Sequence, residues 1–142
     1  MFSWLRKWLQ KGLTENRIRG DTGEHAAADF FIDRLGYKLV IRNWKHRKDE
    51  IDLVCKDGDV FVFIEVKTRS AGALVSGYYA IDERKRKALR RVIHAYLSQL
   101  DYKPLTIRFD VAEVALSEHL PPQVIHFENV PLFPKGYHAL RG

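Results

Sequence analysis

The spacing of apolar residues changes period several times along the chain, and each change marks an expected element. Ala27, Ala28, Phe30, Phe31, Ile32 and Leu35 form a broad helical face after Asp21-Thr22-Gly23-Glu24. Asp21 is the expected N-cap, Glu24 the return half of a capping box, and Gly36 the left-handed terminator. The pattern then turns to strand over Tyr37–Asn43, with a polar loop expected from Trp44 to Lys48. Two further apolar runs end at Cys55-Lys56 and at Val66-Lys67, joined by Asp57-Gly58. Asp-Gly between such runs is a strong hairpin signal, because a type I′ turn needs positive φ at both central residues. Thr68 to Ala80 reads as a Gly/Ser-containing loop. Leu89, Val92, Ile93, Tyr96, Leu97 and Leu100 recur at helical spacing, which predicts a long helix from about Asp82 to Leu100. After Pro104, strands are expected at Thr106–Val114 and Val124–Phe127. Helices and strands interleaved in this order make an α/β domain.

Composition narrows the picture. The 142 residues fit one domain able to bury a real core. Lys and Arg number 24 against 18 Asp and Glu, a formal net charge of +6, which suits a polyanionic partner. The single cysteine, Cys55, excludes an internal disulfide framework and a multi-cysteine zinc site, and fits a reducing, cytoplasmic setting. The six histidines show no metal-ligand spacing. No apolar run reaches the roughly 18 residues needed to span a bilayer. Residues 2–13 place Leu5, Trp8, Leu9 and Leu13 on one helical face among basic residues. That segment either docks on its own domain or touches an anionic membrane surface or a partner. The chain thus divides into a basic amphipathic segment and linker (1–19), a domain (20–130) and a tail (131–142).

Three charges interrupt the central hairpin: Asp52, Glu65 and Lys67. With Asp57 and Gly58 at the turn, Lys56 faces Asp59, Asp52 faces Phe63, and Glu50 faces Glu65. Alternation then puts Asp52, Phe63, Glu65 and Lys67 on one face, and Ile51, Leu53, Cys55, Val60, Val62, Ile64 and Val66 on the other. Asp52 and Glu65 become diagonal neighbours, roughly 7–8 Å apart or closer. Paired carboxylates suit a hard cation such as Mg²⁺, which takes one or two carboxylates and fills the rest of its shell with water and phosphate oxygen. A lysine beside them can orient water or offset charge developing on a phosphodiester. An ordinary cross-strand ion-pair cluster uses the same residue types, and the spacing alone does not choose between the two. Arg84 to Arg91 crowd cations near a helix N-terminus, against the macrodipole, as an anion-binding or simply a solvated face.

Asp52 followed by Glu65-Val66-Lys67 resembles the Asp…(Asp/Glu)-x-Lys motif of the restriction-endonuclease-like nucleases, often written PD-(D/E)xK. The wider run is more specific: Gly23-Glu24, Leu35-Gly36-Tyr37, Arg42-Asn43, Glu50-Ile51-Asp52-Leu53 and Phe63 to Arg69. With Lys85, Leu89, Ala95-Tyr96-Leu97 and Arg108-Phe109-Asp110-Val111, it is similar to the YraN-like family of small bacterial proteins. The likeness covers roughly residues 20–130. It implies a restriction-endonuclease-like mixed β-sheet flanked by helices, the long helix crossing over to a later strand. It implies an endonuclease acting on DNA rather than RNA, including branched or structured DNA, with Asp52 and Glu65 holding Mg²⁺ or Mn²⁺ and Lys67 assisting the water. Similarity to archaeal Holliday-junction resolvases adds Glu24 as a helix carboxylate. Arg69, Lys85 and Arg86 are expected on DNA phosphates. Asp49 departs from the glycine usual in the family before Glu-Ile-Asp. The alternative is a non-cleaving nucleic-acid-binding module of nuclease ancestry. A homodimer is left open.

Overall fold

Five strands form one sheet in sequential order, β1-β2-β3-β4-β5, in a computed structural model that describes residues 20–70 and 81–134. The segment at 2–13, residues 71–80 of the expected loop and the end of the tail lie outside the described residues. The strands are β1 (Lys38–His46), β2 (Asp49–Asp57), β3 (Val60–Ser70), β4 (Ile107–Leu116) and β5 (Gln123–Phe127). β1, β2 and β3 run antiparallel, β3 and β4 run parallel, and β4 and β5 run antiparallel. A parallel neighbour needs a crossover, supplied here by α2 (Glu83–Ser98). Helix α1 is α-helical over residues 20–29 and runs on into a π-helical turn, Phe30–Arg34. The mixed sheet flanked by helices matches the expected architecture.

Each face of the sheet is covered by one helix. Leu89, Val92, Ile93, Tyr96 and Leu97 of α2 pack with Val54, Phe61, Phe63, Phe109 and Val111. On the α1 side, Ala27, Ala28 and Phe31 meet Leu53, Cys55, Val62, Ile64, Ala112 and Val114. Burial on both faces is why Phe61-Val62-Phe63-Ile64 is apolar without alternation. No described helix is long and apolar enough to cross a membrane.

Local details differ from the sequence reading. The β2–β3 turn is displaced by one residue: Asp57 pairs with Val60 and Lys56 with Phe61, leaving Gly58-Asp59 at the tip. Gly58 alone takes positive φ there, 59°, as a type II′ turn requires. Centring the turn on Asp57-Gly58 would have forced Asp57 into the left-handed region as well. Of the expected loop Trp44 to Lys48, only Arg47-Lys48 is a turn. β1 continues to His46 because Trp44 packs edge-on against Tyr96, ring centroids 5.2 Å apart. Thr68 and Arg69 belong to β3, opposite Val114 and Ala115. Residue 20 is already helical, so Asp21 lies inside α1 and does not cap it. Asp82 does cap α2, its carboxylate accepting from the Lys85 N–H at 2.8 Å.

The most consequential difference is a change of face. Arg42 pairs with Leu53, and Trp44 with Ile51. Leu53 joins the α1-side core, whereas Ile51 and Trp44 join the α2-side core. Strict alternation would keep Ile51 and Leu53 together, as the sequence suggested. It fails between them, at Asn43, whose φ is 50°, and at Asp52. Asp52 therefore sits where the strands twist from one face to the other.

Candidate active site

Asp52 lies at this twist, one residue beyond the last β2–β3 ladder pair, Leu53 with Ile64. Its Oδ2 accepts the Val66 N–H at 2.8 Å, which ties the Asp52 carboxyl directly to the Glu65-Val66-Lys67 segment. Glu65, from β3, is only 5 % exposed. Its Oε1 lies 3.1 Å from Lys85 Nζ and 4.0 Å from Lys67 Nζ. Its Oε2 is buried with no hydrogen-bond partner among the described residues. A buried carboxylate oxygen without a partner is costly, so this atom calls for an explanation.

The electrostatics follow from this crowding. Burial pushes the Asp52 carboxyl up to about 8, helped by the charge of Glu65 and more weakly by Glu24, against the Val66 N–H. With its carboxyl raised this far by burial and by the neighbouring Glu65 charge, Asp52 is the member of the pair that holds a proton at neutral pH. Glu24 reaches in from α1. Its carboxyl is raised by burial and by Glu50, Asp21 and Glu65, while a hydrogen bond from the Asn43 side chain lowers it. Burial alone would lower the Lys85 ammonium, but Glu65, Asp52 and Glu50 outweigh it and hold the lysine charged. Gly23 sets the approach of α1. A Cβ at this position would fall 1.9 Å from Thr68 Oγ1, so only glycine lets the helix lie this close to β3.

The predicted residues thus divide. Asp52, Glu65, Lys67, Glu24 and Lys85 converge. Arg69 is near them on β3, but its Nε is held by Glu113 Oε1 at 2.9 Å with both side chains largely covered. Arg86 turns away: it donates to the Ile81 carbonyl at 3.2 Å and the Pro131 carbonyl at 2.6 Å. With Arg90 on the Leu132 carbonyl, it clamps residues 131–132 to α2. Glu50, Asn43 and Gly23 enter the site without having been singled out for it. Asn43 carried one usable signal, since Asn is favoured at left-handed positions.

A second buried carboxylate provides contrast. Asp110, fully buried, receives Arg108 Nε at 2.9 Å, Arg108 Nη2 at 3.1 Å and the Asn129 N–H at 2.9 Å. It also lies 2.7 Å from His126 Nε2. Burial would raise Asp110, but His126, Arg108 and Asn129 more than offset it, and its carboxyl falls below the usual range. Every lone pair that matters at Asp110 is answered within the protein. At Glu65 one is not.

Among the described residues no three His, Cys, Asp or Glu side chains gather as a metal cage. The donor set still fits Mg²⁺ or Mn²⁺, which need only one or two carboxylates besides water and substrate oxygen. Glu65 Oε2, buried and without a hydrogen-bond partner among the described residues, is the oxygen such an ion would take.

A mixed sheet between two helices, with an acidic pair and a lysine brought together from β2 and β3, is the arrangement expected from the resemblance to the restriction-endonuclease-like class. A family model, uncharacterised protein family UPF0102, matches residues 23–114. A UPF0102 protein of Symbiobacterium thermophilum is 42 % identical over 99 residues, covering 70 % of this chain and 83 % of its own. One from Mycolicibacterium vanbaalenii is 35 % identical over 118 residues, covering 82 % of this chain and 97 % of its own. One from Geobacter sulfurreducens is 31 % identical, covering 84 % and 92 %. The chain belongs to the UPF0102 family, the YraN-like proteins of the restriction-endonuclease-like nuclease superfamily.

Proposed function

We propose that the protein is a divalent-metal-dependent endonuclease that hydrolyses phosphodiester bonds in DNA, branched or otherwise structured DNA included. The observation that supports it most is Glu65 Oε2, buried and unpartnered beside Asp52. In this reading Asp52 and Glu65 hold Mg²⁺ or Mn²⁺, and the ion supplies charge neutralisation and a more acidic water. Asp52 would hold the ion as its carboxylate, so proton release on metal addition below about pH 8 is the expected signature. Lys67, 32 % exposed and loosely paired at 4.0 Å, orients the attacking water or a phosphate oxygen in this reading. Lys85 offsets charge on Glu65, and Glu24, bonded by Asn43, is a second-rank acceptor for water. The setting is the cytoplasm, where a thiol such as buried Cys55 stays reduced.

A non-cleaving nucleic-acid-binding module is the second reading. One observation favours it: the Lys85 ammonium already neutralises Glu65 Oε1 at 3.1 Å, as a structural ion pair would. Calorimetric titration with Mn²⁺ separates the two. The nuclease reading requires binding that disappears in Asp52→Asn and Glu65→Gln. No heat from the parent protein, together with salt-sensitive DNA binding, would favour the module.

A further inference from the structure

The β1–β2 turn and the C-terminal half of α2 frame a groove of about 900 Å³. Trp44, His46, Arg47, Lys48, Arg91 and His94 line it. Its one carboxylate, Asp49, is already gripped by Arg91 through two hydrogen bonds of 2.9 and 3.0 Å. Arg47 and Lys48 are the groove's remaining cations, set beside Trp44, His46, His94 and the neutral Ala95, Ser98 and Gln99. The Trp44 and His46 rings are parallel to within 6°, centroids 6.1 Å apart. Trp44 is fixed from behind, edge-on to Tyr96. Arg47 holds φ at 56°, a position that Asn or Gly fills more easily. A long cation kept there against backbone preference points to use of its charge. Arg91 lies about 9 Å along the α2 axis from Lys85 and roughly 120° around it, so a strand leaving the carboxylates would wrap partway about the helix to reach the groove.

We propose that this groove binds an unpaired strand of nucleic acid flanking the bond to be cut. The bases lie on the Trp44 and His46 rings, and Arg47 and Lys48 take the phosphates. The inference rests on the nuclease reading and names its substrate class: DNA with a single-stranded flank, as at branches, gaps and frayed ends. Unpaired bases are specified because ring faces stack only on bases released from the duplex. Charge alone would accept either form.

The test is fluorescence anisotropy in EDTA, with labelled oligothymidylate and a blunt duplex of equal length. The parent should prefer the single strand, and Trp44→Leu should weaken that binding about tenfold. Because Trp44 also packs on Tyr96, Arg47→Gly with Lys48→Ser serves as the second variant. Glycine accepts the φ of 56° and neither exposed side chain supports the core. Removing two charges should make the slope of log affinity against log salt shallower by about 1.4. Parent-like affinity and slope in both variants overturn the proposal, as does a preference for duplex. Binding to phosphatidylglycerol vesicles with no affinity for the oligonucleotide overturns it too. Metal is absent, so the result does not depend on cleavage. Groove-dependent binding without cleavage on adding Mn²⁺ would sink the nuclease reading alone, and cleavage with groove variants of unchanged affinity would sink the groove alone.

Discussion

Replacing Asp52 with Asn should stabilise the metal-free protein, and the size of the gain can be worked from the site. Folding moves the Asp52 carboxyl from 3.8 up to about 8, chiefly through burial and then through Glu65. Below about pH 4 the group is neutral folded or unfolded and costs nothing. Between about pH 4 and 8 the folded state binds a proton that the unfolded chain has released, so stability falls as pH rises. Above about pH 8 the full cost is in place. At about 1.4 kcal/mol per unit, the window sets a ceiling of about 6 kcal/mol. Asparagine removes the charge and keeps an oxygen for the Val66 N–H. Lys67 and Lys85 already offset part of the repulsion in the parent through Glu65, so about 2 kcal/mol is the expected gain at pH 8. For a chain of this size that is a rise in Tm of roughly 6–8 °C. Thermal unfolding in EDTA across pH 5 to 8.5 reads it directly. The parent Tm should decline through this range, and the variant should lose most of that decline. A variant less stable than the parent at pH 8, or one with an unchanged slope, would refute the reasoning.

Two other substitutions probe what positions the site. Gly23→Ala drives a methyl group into Thr68, 1.9 Å from its hydroxyl oxygen, and should cost about 1–3 kcal/mol while displacing Glu24. Chemical denaturation gives the cost, and Gly23→Ala with Thr68→Ser should not recover it fully, since the hydroxyl oxygen remains. Asp110→Asn takes from the Arg108 guanidinium its buried carboxylate, leaving only the more exposed Asp57 and Glu128 at 3.4 and 3.1 Å, and should cost about 3 kcal/mol. Its Mn²⁺ titration should match the parent, because Asp110 belongs to the buried network and not to the carboxylate site.

The sequence and the structure agree where periodicity governs. Asp52, Glu65 and Lys67 were placed together by alternation, and this survived a turn displaced by one residue. Displacing the turn moves each partner by two positions, and a shift of two preserves which face a side chain takes. Ile51 went astray because its face depends on the left-handed Asn43, a dihedral that no apolar pattern encodes. Glu24 looked like half of a capping box, a local signature. It instead meets Asn43 because α1 is already helical at residue 20 and Gly23 admits it to the sheet. Arg69 and Arg86 resembled free phosphate contacts. Their partners, Glu113 and the Pro131 carbonyl, are 44 and 45 residues away, beyond any local reading. The Trp44 groove was hidden for the same reason: it exists only once β1 and α2 pack together.

The central claim is that the Asp52 and Glu65 pair supports metal-dependent cleavage of DNA. Its most direct measurement is the rate of strand scission in labelled branched, nicked and duplex DNA by purified protein with Mn²⁺ or Mg²⁺. Parent protein should cut in the presence of metal and stop in EDTA, while Asp52→Ala and Glu65→Ala should each lose activity by at least about a hundredfold. Scission that persists unchanged in both variants, or an inert parent that nonetheless binds metal and DNA, would contradict the account.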